Sequence, residues 1–198
     1  MARVGRCVGC FSGPPMGLPE ASMICASVSR RLWIPLLTIL LSGGLPAWAE
    51  SVTGQVRIID GDTFQFETGL KVRIFGIDTL EKNQKCEAKG MCVPCGEESK
   101  AVAIKLIGKS QMSCELKGQK TYDREVAICT VDGKDYGETM IASGWALAYR
   151  SFLPRKGKGH SYIEAEERAK AAGVGIWGTR FVPPSDWRNH KMRLECER

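Results

Sequence analysis

Asp60 and Asp62, in "DGDTF" at residues 60–64, and Asp78 and Glu81, in "VRIFGIDTLE" at residues 72–81, place four carboxylates at the margins of two strand-like runs. Two such charges about 4 Å apart repel by roughly 4 kcal/mol at an effective dielectric constant of 20, so a cluster of them needs a partner. Carboxylate oxygens of this kind hold hard divalent cations. Arg73 lies within the second run, and a guanidinium beside an acidic cluster suits an anionic substrate held against a cation. The alternative is local: aspartates cap turns, and Asp60-Gly61 reads as a turn. Histidine chemistry finds no support, because His160 and His190 are the only histidines, both far along the chain from the cluster, and read as surface residues.

The elements that must position these residues are short. "TGQVRIID", "TFQFE" and "KVRIFGI" alternate as strands, the last with Val72, Ile74 and Ile77 inward, and "MSCELK" and "REVAICTVDGK" continue the pattern, with Asp132-Gly133 as a turn. Residues 97–107 read as a helix, acidic at its start, with Ala101, Ile104 and Ile107 or their neighbours as its apolar stripe and Gly108 as its stop. "YGETMIASG" and "YIEAEERAKAAG" are two further helices, each ended by glycine. The polar, cysteine-rich residues 81–96 lack periodicity and read as a loop, and Pro183-Pro184 is expected to end regular structure in the aromatic and basic tail. Five strands with helices after the third and fifth predict an α+β fold, a five-stranded OB-type β-barrel with about three helices.

Not all 198 residues belong to that fold. From Met23, two arginines, an apolar run over residues 32–41 and a final "AWA" form the three regions of a cleavable export signal, with cleavage expected after Ala49. A membrane anchor is the alternative, but the run is about half the roughly 20 residues that a span needs and Pro35 interrupts it. Residues 1–22 read as an N-terminal extension before that signal, and residues 50–198 as a single domain, long enough for its own core. The whole chain carries a net charge of +6; without the four basic and one acidic residue before Glu50, 24 basic residues face 21 acidic ones, a balance that by itself selects no partner.

Six cysteines remain after residue 49, an even number that favours disulfides in an exported domain. "CVPC" could be half a zinc site or a redox motif, but residues 50–198 hold no second CxxC, and it has no neighbouring histidine and no βαβ context. Cys114 and Cys129 fall on strands expected to be neighbours and Cys86 and Cys95 can close the loop before the first helix, which leaves Cys92 and Cys196 with their pairing open.

"DGDTF", "VRIFGIDTLE", "YDREVA" and "GWALAYRSF" together resemble the thermonuclease, or staphylococcal-nuclease-like, family of calcium-dependent nucleases, in the family's order from about residue 56 to residue 177. "CGEESKAVAIKLIG" and "FVPPSDWR" are similar to its exported, cysteine-containing bacterial members. The resemblance implies that Asp62 and Asp78 are carboxylate ligands of Ca²⁺, that Thr79 adds a backbone carbonyl, and that Glu81 orients or deprotonates the attacking water. It places Arg73 and Arg124 on the scissile phosphate, Tyr122 and Tyr149 near the bound nucleotide, and Asp60 nearby without direct ligation. It implies DNA and RNA substrates cut with little sequence preference to leave 3'-phosphates, by a monomer in the periplasm or outside the cell.

Two positions depart from the family's pattern: Leu80 stands where proline is common, and Asp123 where glycine is usual. The basic residues 155–160, "RKGKGH", follow the last strand of the site and are either a solvated face or a track for phosphates, whose grip weakens with salt. The rival to a nuclease is a barrel of the same type that binds single-stranded nucleic acid, or another anion, without cutting it.

Overall fold

The computed structural model describes residues 50–197, so the expected signal and N-terminal extension lie outside the described residues. Short strands dominate the first half: β1 (Ser51–Gly54), β2 (Val56–Ile58), β3 (Thr63–Phe66), β4 (Lys71–Ile74) and β5 (Ile77–Thr79). A hairpin, β6 (Cys86–Ala88) and β7 (Met91–Val93), leads into helix α1 (Cys95–Ile107). Two long strands follow, β8 (Met112–Thr121) and β9 (Arg124–Val131), then β10 (Lys134–Asp135), α2 (Tyr136–Ala142) and β11 (Ala146–Ala148). Helices α3 (Lys158–Ala172) and α4 (Pro184–Arg188) complete the described chain.

The main sheet runs β1-β8-β9-β4-β3-β2, with β10 also on β9, and curls into the half-barrel of an OB-fold; β5 pairs apart from it with β11. Antiparallel hairpins join β2, β3 and β4, whereas β4 meets β9 in parallel, Arg73 opposite Val126. Val72 and Ile74 point into the core as their alternation predicts, and Ile77 joins them from β5 after the turn at Gly76, beside Phe64, Met112, Tyr136, Met140 and Tyr162, all nearly or fully buried. Each such side chain contributes about 1.5–3 kcal/mol on leaving water. The Tyr136 ring meets Phe64 edge to face at 5.1 Å and its hydroxyl donates to the Gly61 carbonyl at 2.8 Å, so the core itself anchors the "DGDT" turn.

Several elements differ from expectation for identifiable reasons. The strands are more numerous and shorter than five because bends at Gln55 and Gly76 divide runs that read as continuous; Gly76 has φ +74°. The expected loop over residues 81–96 contains the β6–β7 hairpin, bracketed by the Cys86–Cys95 disulfide. On α1 the buried stripe is Cys95, Ser99, Ala103 and Ile107, while Ala101 and Ile104 face outward; Ser99 can lie inside because its hydroxyl donates to the Trp145 carbonyl at 3.0 Å. Helix α3 begins at Lys158, so only residues 155–157 of the basic stretch are non-helical. Pro183-Pro184 starts a helix rather than ending structure, since proline at the first helical position sacrifices no hydrogen bond.

All six cysteines of the domain are paired: Cys114–Cys129 across β8 and β9, Cys86–Cys95 around the hairpin, and Cys92–Cys196, which ties the chain's end to β7. Among the described residues no helix is long and apolar enough to cross a membrane.

Candidate active site

Thr63 and Arg73 are directly opposite on β3 and β4, which sets Asp62, one residue before β3, beside the Arg73 side chain. Asp78 occupies the middle of β5, opposite Leu147 of β11. Between these two carboxylates Arg73 spreads its fork, Nη1 donating to Asp62 Oδ1 at 2.8 Å and Nη2 to Asp78 Oδ1 at 3.1 Å. Asp62 also accepts from Thr63 Oγ1 at 3.0 Å and, through Oδ2, from the Thr79 amide at 3.1 Å. Both aspartate side chains are about 5% exposed or less and Arg73 is 15% exposed, so these are charge-assisted bonds out of reach of bulk water. Gly61 is required by this packing, because an added Cβ would lie 2.7 Å from Ser99 Oγ and 2.9 Å from Thr79 Cγ2.

Asp60 turns back on the loop, its Oδ1 accepting the Asp62 amide at 3.1 Å, which is the local turn role that aspartates favour. Burial, and then the neighbouring Asp62 charge, push its carboxyl up to about 7. Burial also raises Asp78 above the usual carboxylate range, against the lowering effect of the hydrogen bonds and charge it receives from Arg188 and of the charge of Arg73. For Arg73 burial opposes the charged form, but Asp62 and Asp78 more than offset it and the net shift is upward.

Glu81 is held from two sides. Its amide donates to Gln84 Oε1 at 3.1 Å, its carbonyl accepts the Gln84 amide at 2.8 Å, and the buried Gln84 side chain reaches on to the Val182 carbonyl. An added Cβ on Gly96 would lie 1.8 Å from the Glu81 carbonyl oxygen, so the start of α1 presses against the same backbone. Leu80 replaces the rigidity of a proline with burial, 1% exposed in a second apolar cluster with Cys86, Cys95 and Ile176. Asp123 spends its carboxylate in an ion pair with Lys71.

Arg124, the first residue of β9, stands apart from the Asp62–Arg73–Asp78 knot but on the same cleft; its Nη1 donates to Thr63 Oγ1 at 3.2 Å and its guanidinium lies 5.8 Å from the Tyr122 ring centre. Tyr122 is 89% exposed, and Tyr149 packs edge-on against Phe152 at 4.7 Å. The cleft has a volume of about 480 Å³ and brings Asp62, Arg73, Thr79, Glu81, Tyr122, Arg124 and Tyr149 onto one surface. Among the described residues no three acidic, histidine or cysteine side chains converge as a metal cluster. The donor set, two buried carboxylates bridged by one arginine with the Thr79 backbone beside them, fits a hard cation that takes its remaining oxygens from water and substrate.

Two further residues of the cleft close stretches that carry the resemblance, Phe152 ending "GWALAYRSF" and Arg188 ending "FVPPSDWR", but the sequence assigns neither a role in the site. Phe152, 61% exposed, adds an aromatic wall beside Tyr149. Arg188, the last residue of α4, reaches back across 110 positions to grip Asp78 with both arms, Nη1 to Oδ1 at 2.9 Å and Nη2 to Oδ2 at 3.0 Å, while Nη1 also donates to Glu81 Oε1 at 2.8 Å. Burial opposes its charge, yet the hydrogen bonds to Asp78 and Glu81 raise it further above its already high value. "FVPPSDWR", which Arg188 ends, gives it no partner in the sequence; Cys196 adds the hint that the tail returns to the body, since an even cysteine count in an exported domain favours pairing.

The sequence profile of the staphylococcal nuclease homologues matches residues 71–179, more than half of the chain. The chain belongs to that family. The matched stretch contains Arg73, Asp78, Glu81, Arg124 and Tyr149, and leaves Asp62 before it and Arg188 beyond it. The succinoglycan biosynthesis protein ExoI of Rhizobium meliloti is 32% identical over 162 residues, covering 80% of this chain and 81% of ExoI. The endonuclease YncB of Bacillus subtilis is 30% identical over 128 residues, 61% of this chain and 59% of YncB. The SPbeta prophage-derived endonuclease YokF of the same organism is 29% identical over 128 residues, 61% of this chain and 42% of YokF. Family membership supports nuclease activity.

Proposed function

We propose that the protein is an exported, Ca²⁺-dependent nuclease that hydrolyses phosphodiester bonds of DNA and RNA with little sequence preference and leaves 3'-phosphates. The observation that carries this reading is the convergence of Asp62 and Asp78 on Arg73, at a cleft lined by Asp62, Arg73, Glu81 and Arg124, with Asp78 directly behind that lining. The endonuclease activity named for YncB and YokF supports it, and the three disulfides support export. Residues 1–49 would be the extension and signal removed on the way, and residues 50–198 the working domain, acting as a monomer.

Asp62 and Asp78, with the Thr79 carbonyl, would hold the cation. A Ca²⁺ bound there neutralises charge on a phosphate oxygen. Glu81 accepts a proton from the attacking water as its oxygen bonds to phosphorus. Arg73 and Arg124 donate planar pairs of N–H groups to the phosphoryl oxygens, whose negative charge grows in the transition state. The bond from phosphorus to the 5'-oxygen breaks, and that oxygen takes a proton from solvent. Tyr122, Tyr149 and Phe152 offer faces on which bases stack without regard to sequence.

A second reading has one observation in its favour: with Arg188 on Asp78 and Glu81, the carboxylates already have a cationic partner, as a non-cutting nucleic-acid-binding module could retain. A zymogram in DNA and in RNA separates the two. Cleavage is expected with Ca²⁺ and none in excess chelator, with 3'-phosphate ends on the products. Binding without cleavage under both conditions would establish the second reading, and full cleavage in chelator would remove the cation from the mechanism.

A further inference from the structure

Arg188 belongs to none of the four sequence motifs and lies outside the matched stretch, yet it makes the most complete ionic contact in the cleft. Both oxygens of Asp78 are taken by its fork, and Oδ1 additionally accepts from Arg73. Its Nη1 ties Glu81 to the same cluster, so one side chain occupies the two carboxylates that the nuclease reading assigns to cation and to water. We propose that Arg188 is a built-in counter-ion of the cation seat: guanidinium and divalent cation exclude one another on Asp78, so that Arg188 sets how tightly the site holds a cation.

This assignment rests on the cation-dependent reading and adds a competitor to it. The geometry favours exchange at the side chain rather than departure of the tail, because the tail is fixed independently of Arg188. The buried Gln84 side chain donates to the Val182 carbonyl, Cys196 is bonded to Cys92, and the Arg193 guanidinium stacks 4.3 Å from the Trp187 ring centre. The fork therefore stays at high local concentration beside the carboxylates, as a tethered ligand does. Both arginines line the cleft, but where Arg73 is 15% exposed Arg188 is one-third exposed. Its charge has room to move towards an incoming phosphate when Asp78 is given up. Until then it neutralises a buried carboxylate that would otherwise share Arg73 with Asp62.

Calorimetric titration of Ca²⁺ into the wild-type protein, Arg188→Gln, Arg188→Lys and Asp78→Asn tests this without recourse to activity. Arg188→Gln should bind Ca²⁺ roughly five- to 150-fold more tightly than wild type, the range of a typical coupling between two ligands. Its cation-free form should melt at a lower temperature and gain more from added Ca²⁺. Arg188→Lys, which keeps the charge without the fork, should fall between the two. Near-UV circular dichroism confirms that each variant is folded, and Lys preserves the test should Gln disturb α4. Binding to wild type that is lost in Asp78→Asn but unchanged or weakened in Arg188→Gln overturns the competition and leaves the cation seat standing. No binding to any of the four proteins, or binding that Asp78→Asn leaves intact, removes the seat itself and the proposal with it.

Discussion

Asp78 Oδ1 accepts hydrogen bonds from two guanidiniums that reach it by opposite routes. Arg73 comes from five positions away, on a strand flanked by β3 and β9, with its side chain 15% exposed. Arg188 comes from 110 positions away, on a five-residue helix, with its side chain 34% exposed. The first is positioned by sheet register, which fixes every second residue on one face and costs no extra closure once the barrel is paired. The second is positioned by covalent and polar ties of the tail, Cys92–Cys196 and Gln84 to Val182. The same ion pair is thus part of the barrel's integrity on one side and an adjustable attachment on the other.

The largest expected effect breaks the buried side. Arg73→Ala leaves Asp62 and Asp78 facing each other inside the sheet, and removal of one partner from a buried ionic cluster costs about 3–5 kcal/mol. Arg188→Ala removes a partly exposed partner, for which about 0–1 kcal/mol is expected. Urea denaturation of both variants in chelator measures the difference directly. Equal losses would mean that the tail contact is as structural as the strand contact, and the distinction between them fails.

The contrast also separates what is legible in the sequence from what is not. Alternation in "KVRI" points Val72 and Ile74 inward and hence Arg73 to the opposite face, because period two in a strand is a direct consequence of backbone geometry; Ile77, three residues beyond Ile74, turns inward because the chain breaks step at Gly76. The buried face of α1 departs from its hydropathy pattern because Ser99 lies inside through a hydrogen bond to Trp145, a satisfaction that hydropathy alone does not see. Pairing of β5 with β11, which seats Asp78 and Thr79, joins residues nearly 70 positions apart and has no local signature. The roles of Gln84 and Arg188 escape a sequence reading for the same reason: their partners are Val182 and Asp78, far along the chain, and "FVPPSDWR", although it holds Val182 and Arg188, names no partner for either. Cysteine parity is the exception, a non-local constraint visible in a count.

Glu81 lies between the two regions, its backbone fixed by Gln84 and its carboxylate bonded to the tail. Replacing it with glutamine preserves size and hydrogen bonding but removes the proton acceptor. The kcat of Glu81→Gln should fall by roughly 10² or more, within the range of general acid-base groups, while affinity for a non-cleavable oligonucleotide stays close to wild type. A variant with normal kcat would reduce Glu81 to an anchor for Arg188. A variant with weakened binding and unchanged kcat would place the residue on the substrate side instead.

The smallest effect sharpens the comparison by leaving both guanidiniums alone. Of the basic residues in the 155–160 stretch, Lys158 is bonded to Asp135 and lies over the Tyr162 ring, inside α3, so it serves the fold. Arg155 and Lys156 are exposed, three and four residues after Phe152, which lines the cleft. Charges in such a position act on the polyanion rather than on the scissile group. The Arg155→Ala/Lys156→Ala double variant should therefore keep kcat and raise KM. The salt dependence of its binding to single-stranded substrate should become shallower by about 0.7 in log–log slope for each phosphate that is no longer neutralised. Steady-state kinetics at two salt concentrations resolve the two parameters. An unchanged slope would make the stretch a solvated face; a fall in kcat with KM unchanged would bring it into the chemistry, where at present only strand-borne and tail-borne side chains meet.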